Sequence, residues 1–250
     1  MKDGKPTLWH IPISHYSEKV RWALGYKDVV HHRRAPQPPS HMVAALALTR
    51  GRHKTFPVLQ LDGEAIGDST AIIAALERRF PDPPLYPQAD DERPRALELE
   101  EWFDEQLGPD MRLLAWHEIT RDQARLEYLT ARGVPRPLRR LAAGGARSFL
   151  NLRFGVKSTE AAQTARERVR SALDRLEQEL GGGEYLVGGR FTVADLTAAA
   201  LLYPLVLPPE GPQLPDPPEA LERFRAPLKE RPGYRWVEEM FHRHRRSPDT

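Results

Sequence analysis

Residues 55–77 constrain the fold of this 250-residue chain more than any other stretch of its sequence. They read T-F-P-V-L-Q-L-D-G-E-A-I-G-D-S-T-A-I-I-A-A-L-E, with short apolar runs on both sides of Asp62-Gly63. An Asp-Gly pair between apolar runs predicts a β-hairpin. Apolar residues at helical spacing follow, so we expect a helix with Asp68 or Ser69 as its N-cap. The stretch therefore predicts a strand–strand–helix unit.

Two positions in this unit suit chemistry as well as folding. Pro57 cannot donate to a sheet ladder, so it belongs at the start of its strand or at a bend, in either the cis or the trans isomer. A helix that begins at Asp68 and Ser69 directs free backbone N–H groups outwards, which suits the carboxylate of a small ligand. The simpler interpretation is that these residues only cap the helix.

Composition excludes several classes of function. The chain is 40% hydrophobic and 29% charged, as expected of a folded protein with two modest domains or one large domain. It has no cysteine, which rules out disulfides, thiolate metal sites and a nucleophilic thiol of its own, and we expect no metal. A net charge of +2 does not favour nucleic acid as a partner. Without a long apolar run or an apolar leader, the sequence predicts a cytoplasmic protein with no membrane contacts.

The first 80 residues predict a small α/β unit with a mixed sheet. Residues 6–13 give a short apolar strand, and a helix follows with Ser14 at its mouth. Residues 28–32 predict a second strand and residues 40–50 a short helix. A hydroxyl at the position of Ser14 lies at the positive end of the helix dipole, where it stabilises a developing anion. The alternative is a plain N-cap, the commonest use of serine there.

A proline-rich linker at residues 81–90 leads into a second half in which helical periodicity takes over. Thr192 and Asp195 have the spacing of a capping box, and residues 196–207 after them predict a buried central helix. We expect Pro204 to kink this helix or to end it early. Further helices are expected at residues 91–118, 121–132 and 158–180, with a last helical region that carries Trp236, Met240 and Phe241.

The segment from residue 128 to residue 159 is basic and contains no aspartate or glutamate. Its cations are Arg132, Arg136, Arg139, Arg140, Arg147, Arg153 and Lys157. One interpretation is a solvated helix face that the acidic stretch at residues 90–105 complements. The other is a surface for an anionic second substrate or an acidic partner.

Five motifs in order resemble those of the glutathione S-transferase family, over residues 7–243. They are S-x-x-S-x-K-V-R-x-A-L from Ser14, F-P-V-L from Phe56, D-G at Asp62, D-S-T-A-I from Asp68 and F-T-V-A-D from Phe191. The resemblance implies an α/β plus all-α architecture, with a thioredoxin-like domain at residues 1–80 that binds glutathione. The linker and an all-helical domain at residues 91–250 follow, and the helical domain supplies the second-substrate pocket.

The family pattern implies a role for each matching residue. Ser14 matches the catalytic residue in the serine-type arrangement and would stabilise the glutathione thiolate by a hydrogen bond, although Tyr16 or Ser17 could donate in its place. The glutathione-binding residues are Lys54 and Thr55 near the glycyl carboxylate, Phe56 and the matching cis-proline Pro57 at the cysteinyl part, and Asp68 and Ser69 at the γ-glutamyl end. Asp68 is one methylene shorter than the usual glutamate.

The resemblance also implies a second-substrate pocket and a homodimer. The pocket candidates are Tyr16, Leu113, Trp116 and His117, with Phe149 or Phe154 from the basic segment. In the dimer, an acidic residue such as Asp104 would reach the glutathione of the partner.

Two functions from different classes remain open. The first is a glutathione transferase that adds the thiolate to a small electrophile, or a glutathione-dependent isomerase or peroxidase. The second is a non-catalytic protein of the same fold that serves as a macromolecular interaction module, which the basic segment favours. Glutathione binding separates the two, because an interaction module need not keep Ser14, Asp68 and Ser69 competent to hold a ligand.

Overall fold

The computed structural model describes residues 4–37, 40–131, 133–213 and 217–246. Its strands form a four-stranded sheet in the order β2-β1-β3-β4. β1 (Thr7–Trp9) is parallel to β2 (His32–Arg34) and antiparallel to β3 (Val58–Leu61), which is antiparallel to β4 (Glu64–Gly67). The helices of this part are α1 (His15–Tyr26), α2 (Ser40–Leu48) and α3 (Ser69–Arg79). The small α/β unit with a mixed sheet is confirmed.

The β3–β4 hairpin is built as its Asp-Gly pair predicts. Asp62 and Gly63 have φ angles of 49° and 87°, the backbone of a type I′ turn. Glycine adopts this conformation freely, and aspartate is one of the few other residues that tolerate it. As a result, Leu61 pairs with Glu64 next to the turn.

The second strand begins later than the expected residues 28–32, and it comprises His32–Arg34. Asp28 has a φ of 53° and lies in the turn that follows α1, while Val29 is buried in the main core. The apolar character of this stretch therefore serves the core beneath a turn. Pairing starts only at His32, opposite Thr7 of β1.

Every regular element described beyond residue 91 is a helix. α4 (Glu92–Trp102) continues through a π-helical segment (Phe103–Leu107) into α5 (Gly108–Arg121), so the long helix expected at residues 91–118 contains a wider turn at its middle. The remaining helices are α6 (Gln123–Thr130), α7 (Arg139–Phe154), α8 (Thr159–Leu180), α9 (Val193–Val206), α10 (Glu219–Arg225) and α11 (Pro232–His244). Among the described helices, none is both long and apolar enough to cross a membrane.

Sequence patterns do not predict the bounds of α7, a 16-residue helix within the basic segment, although one interpretation of that segment is a solvated helix face. Two of the three leucines of α7, Leu141 and Leu152, are 77% and 89% exposed, and only Leu150 with Ala143 marks a narrow buried face. Two adjacent glycines, Gly144 and Gly145, also weaken the helical signal. Arg132, near the start of the basic segment, lies outside the described residues.

The central helix of the second part is α9, all of whose residues are buried. Thr192 and Asp195 form the predicted capping box, in which the Thr192 N–H donates to Asp195 Oδ2 at 2.8 Å. Of the two outcomes expected of Pro204, a kink or an early end of the helix, the early end does not occur, because α9 continues to Val206 and packing on all sides supports its last turn. α1 packs against α9, and one apolar core runs through both parts of the molecule.

Candidate active site

Three chain segments meet at one edge of the sheet. The last residue of β1 lies opposite the first residue of β3, which in turn lies opposite the last residue of β4. The chain leaves β1 towards Ser14, enters β3 from Pro57 and leaves β4 into Asp68. The register of the strands therefore brings Ser14, Pro57 and Asp68 to the same edge of the sheet. Ser14 and Asp68 are 54 positions apart in the sequence.

Ser14 is the N-cap of the 12-residue helix α1. Its Oγ accepts a hydrogen bond from the Ser17 N–H at 3.3 Å, and its side chain is partly exposed. Within the described residues, the Ser14 hydroxyl proton has no protein acceptor. The hydroxyl can therefore donate to a ligand at the positive end of the helix dipole.

The two alternative donors are less suited to this role. Ser17 is fully buried, and its Oγ accepts from the Ile11 N–H at 3.2 Å. The Tyr16 hydroxyl donates to the backbone carbonyl of Asp104 at 3.1 Å. Burial raises the pKa of Tyr16, and the nearby Asp104 carboxylate raises it further, so Tyr16 keeps its proton and shares it with the protein backbone.

The loop that precedes Ser14 is anchored from distant parts of the chain. The Tyr203 hydroxyl of α9 donates to the Ile13 carbonyl at 2.6 Å. Arg21 donates to the Pro12 carbonyl at 2.9 Å, and Arg21 is itself paired with Glu18. Glu18, which is fully buried, also pairs with Arg245 from beyond the end of α11. The position of Ser14 thus depends on the helical domain and on residues near the other end of the chain.

The segment before β3 has the properties expected of a backbone binding site. The Phe56–Pro57 peptide is cis, which decides the isomer that the sequence left open. Phe56 and Pro57 are buried, whereas Lys54 and Thr55 before them are exposed. This segment can therefore offer backbone groups at Phe56 and charged or polar side chains at Lys54 and Thr55.

The mouth of α3 forms the third side of the edge. Asp68 is the N-cap of α3, and its Oδ1 accepts from the Ala71 N–H at 3.1 Å. Its φ of 73° is unusual for a residue other than glycine, a conformation that clusters at ligand sites. Asp68 is exposed and Ser69 is buried, so a carboxylate and a helix N-terminus adjoin each other here.

A buried ion cluster lies beneath this edge. The Lys19 ammonium, fully buried on α1, lies 3.0 Å from Glu100 Oε1 and 2.8 Å from Asp104 Oδ1, and donates to the Thr70 hydroxyl at 2.9 Å. Burial opposes the charge, but the Glu100 and Asp104 carboxylates prevail and raise the pKa of Lys19. The carboxylate of Asp104, expected to reach a partner's glutathione, is therefore engaged within its own chain.

Tyr16 adjoins an arginine that sequence reasoning missed. The Arg112 guanidinium lies over the Tyr16 ring, 5.6 Å from its centroid, and over the Phe154 ring at 4.7 Å. The ring of Tyr16 fits because residue 108 is glycine, where a Cβ would come within 2.1 Å of the Tyr16 hydroxyl. The sequence does show that Arg112 lacks an ion-pair partner on its own helix, because no acidic residue lies three or four positions away from it.

The other pocket candidates lie deeper in the helical domain. Leu113 and Trp116 are partly buried and pack against a small core formed by Ile119, Leu126, Ala143, Leu150 and Val156. His117 is buried, and its Nδ1–H donates to the Val156 carbonyl at 2.7 Å. The structure thus brings Tyr16 next to Ser14, while His117 is held between helices by its own hydrogen bond.

Two open clefts on the surface lie away from this edge. One, of about 560 Å³, lies between the end of α8 and α11 and is lined by Leu180, Trp236 and Met240 among others. The other, of about 320 Å³, lies between the hairpin and α3. Neither is lined by a residue of the predicted thiol site. In the described part of the chain, no three histidine or acidic side chains converge as a metal site would require.

Comparisons with known proteins were made for the sequence and for the fold. Residues 8–84 match the family described as glutathione S-transferase, N-terminal domain, and residues 157–234 match glutathione S-transferase, C-terminal domain. The chain is 27% identical to FtsZ-localized protein A of Caulobacter vibrioides over 207 residues, which cover 78% of this chain and 75% of that protein. It is 28% identical to a probable maleylacetoacetate isomerase of Caenorhabditis elegans over 206 residues, covering 81% and 80%.

The fold gives the same result. The solved structure of FzlA from C. crescentus matches with a TM-score of 0.60 at 25% identity, covering 93% of this chain and 91% of that one. The two family matches fall on the sheet-containing part and on the helical part, in the order that the motifs predict. The chain belongs to the glutathione S-transferase family, with a thioredoxin-like domain followed by a helical domain.

Proposed function

We propose that the protein binds glutathione, stabilises its thiolate and adds it to a small electrophile. The observation that carries this proposal is the convergence of Ser14, the cis Phe56–Pro57 segment and the mouth of α3 at one edge of the sheet. These are three different kinds of group: a hydroxyl with no protein acceptor in the described chain, the backbone of a loop that leads into a strand, and a helix N-terminus. A γ-glutamyl tripeptide requires each of them for a different part of its length.

Each segment has a role in holding the tripeptide. Asp68 binds the α-ammonium of the γ-glutamyl residue, and Ser69 with the free N–H groups of α3 binds its carboxylate. The backbone of Phe56 pairs with the cysteinyl residue, which directs the sulfur towards Ser14. Lys54 and Thr55 bind the glycyl carboxylate.

Ser14 acts on the sulfur as a hydrogen-bond donor. A free thiol has a pKa of about 8.5, so only a few per cent of it is thiolate at neutral pH. A donor at a helix N-terminus favours the anion, by roughly 1.5–3 kcal/mol for a hydrogen bond to a charged group. The thiol proton leaves to solvent, sulfur bonds to the electrophilic carbon, and the displaced electron pair leaves with the departing group or moves along the double bond.

Calorimetric titration with reduced glutathione tests the thiol site. Asp68→Asn keeps the helix cap and tolerates the positive φ but removes the charge, so it should weaken binding about tenfold or more. Ser69→Ala should weaken binding too. The control is Asp122→Asn, since the Asp122 carboxylate caps α6 in the same way, accepting from the Arg125 N–H at 3.0 Å, and α6 contributes no residue to the predicted thiol site. No heat at millimolar glutathione with a folded protein would refute the proposal.

A second function is favoured by the surface of α7. Leu138, Leu141 and Leu152 are at least half exposed, on or next to a helix whose segment contains cations and no acidic residue. Such a surface fits an acidic partner, and FtsZ-localized protein A is named for localisation with another protein. If the protein is only an interaction module, Asp68→Asn and Ser14→Ala have no ligand to lose, and a Leu141→Ser, Leu152→Ser double variant is the one that loses partner binding.

We also propose a homodimer, as the family resemblance implies, with each N-terminal domain facing the helices of the other chain. Light scattering coupled to size exclusion measures this directly. A mass near that of a single 28.5 kDa chain at micromolar concentration would contradict it.

A further inference from the structure

Arg112 is a partly buried cation with aromatic neighbours and no anionic partner in the described chain. Its guanidinium lies over the rings of Tyr16 and Phe154, at 5.6 and 4.7 Å from their centroids. Within the described chain it makes no ion pair or hydrogen bond. Burial lowers the pKa of Arg112, so the protein disfavours the charge that this side chain nevertheless carries at neutral pH.

Two other arginines of the described chain, the buried Arg21 and the partly buried Arg147, do have partners. Arg21 pairs with Glu18, and Arg147 donates to the Thr120 carbonyl at 3.0 Å. The Asp104 carboxylate raises the pKa of Arg112, but this carboxylate is already paired with Lys19. Arg112 therefore has no protein anion of its own.

A second cation meets the same ring. The Arg153 guanidinium lies 5.0 Å from the Phe154 centroid, and Arg153 too has no ion pair in the described chain. Its positive charge further lowers the pKa of Arg112. Two like charges meet at one phenylalanine, and Arg153 and Phe154 belong to the segment without acidic residues, so positive charge is in local excess beside Tyr16.

Aromatic contacts alone do not account for this arrangement. A cation–π contact contributes about 0.5–2 kcal/mol, whereas an unpaired charge removed from water costs several kcal/mol. Leucine or methionine would fill the space between the two rings without that penalty. A guanidinium stacked on a ring keeps its N–H groups in its own plane, where they match the two oxygens of a carboxylate.

We propose that Arg112, assisted by Arg153, binds a carboxylate of the second substrate, so that the electrophile is an organic acid. This inference rests on the proposed function. Tyr16 connects the two sites, because it lies two residues after Ser14 and packs its ring under Arg112. A substrate held by its acid group at Arg112 presents its reactive carbon on the Ser14 side of that ring.

The experiment compares glutathione S-conjugates that differ only in charge. Calorimetry measures the affinity of carboxymethyl and carboxybutyl conjugates and of their matched amides, so that two spacer lengths test the reach to Arg112. The wild-type protein should prefer an acid over its amide by about tenfold or more. Arg112→Gln should remove most of this preference and change the affinity for the amide by less than about twofold. Arg112→Lys should restore part of it.

The control is Arg170→Gln, since Arg170 also lies over a phenylalanine, 5.0 Å from the Phe224 centroid, but is exposed and contacts a ring of α10 instead of Tyr16 and Phe154. It should keep the wild-type preference. Equal affinity for acid and amide in the wild-type protein, or an unchanged preference in Arg112→Gln and Arg112→Lys, would overturn the inference while the thiol site stands. Failure of glutathione and of both amides to bind would instead refute the proposed function, and this inference with it.

Discussion

Lys19 Nζ lies 2.8 Å from Oδ1 of Asp104, a residue 85 positions later in the chain. The contact joins the first helix of the thioredoxin-like domain to the π-helical segment of the helical domain, and Glu100 completes the pair from α4. Both carboxylates and the ammonium are shielded from water, so each requires the others. The two domains are therefore fastened together by charge as well as by their common apolar core.

Lys19→Met should lower the free energy of unfolding by about 3–5 kcal/mol, because it leaves the buried Glu100 carboxylate and the partly buried Asp104 carboxylate without their cation. Urea denaturation measures this change. Lys229→Met, at an exposed lysine, should stay within about 0.5 kcal/mol of the wild-type protein. A loss at Lys19 no larger than at Lys229 would show that the cluster does not stabilise the fold.

Ser14→Ala should reduce kcat/KM about 10- to 100-fold with any electrophile that the wild-type protein converts, because the thiolate loses its donor. The rate should also rise at higher pH than in the wild-type protein, as the thiol returns towards its ordinary pKa of about 8.5. A pH–rate profile measures both effects.

Ser158→Ala is the matched control for Ser14→Ala. Ser158 caps α8 by accepting from the Ala161 N–H at 3.0 Å, so each variant loses one N-cap bond, worth about 1 kcal/mol. Comparable stability with activity lost only at Ser14 supports the chemical role. The same pH–rate profile in both variants would show that Ser14 serves only as a helix cap.

Stability should fall as the pH falls below about 6.5. Burial lowers the pKa of His15 to about 3, with the Arg112 charge adding to the effect, and burial with Arg21 lowers the pKa of His10 to about 3. Between pH 6.5 and 3 the unfolded chain takes up protons that the folded chain does not, so acid favours unfolding. His15→Gln should reduce the dependence by up to about 1.4 kcal/mol per pH unit, as urea titrations at several pH values would measure. An unchanged slope would contradict the assignment.

Asp195→Asn should destabilise the protein more than an ordinary loss of a cap. Asp195 accepts from the Leu186 and Thr192 N–H groups and from the Thr192 hydroxyl, and an amide would oppose one of these donors with its own NH₂. We expect a loss of about 1–3 kcal/mol in thermal or urea unfolding at neutral pH. Asp122→Asn, at a partly exposed cap, should lose less, and an equal loss at both positions would contradict the prediction.

Local signals in the sequence predict the local structure well. The Asp62-Gly63 turn, the Asp68 cap and the Thr192–Asp195 box each depend on side chains within a few residues, so their geometry follows from chain chemistry alone. The strand expected at residues 28–32 begins only at His32, because the apolar Val29 packs into the core and does not pair with a neighbouring strand.

The parts of the site that the sequence could not reveal depend on distant partners. Lys19 occupies an ordinary position in an amphipathic helix, and only the folded chain shows that it is buried between Glu100 and Asp104. Arg112 lies over the ring of Phe154, 42 positions later in the chain, at the end of a helix whose bounds sequence patterns do not predict. Both interactions are fixed by tertiary packing, which periodicity does not encode.

The pairing of Arg245 with Glu18 spans 227 positions of the sequence and supports the loop that carries Ser14. Translation proceeds from the N-terminus, so the strands and helices of the first domain leave the ribosome long before Arg245 does. A nascent chain that already contains Ser14, Pro57 and Asp68 still lacks the contacts from Tyr203 and Arg245 that hold the Ser14 loop. The proposed thiol site should therefore reach its final geometry only after synthesis of the helical domain, and a chain terminated before Tyr203 lacks these supporting contacts.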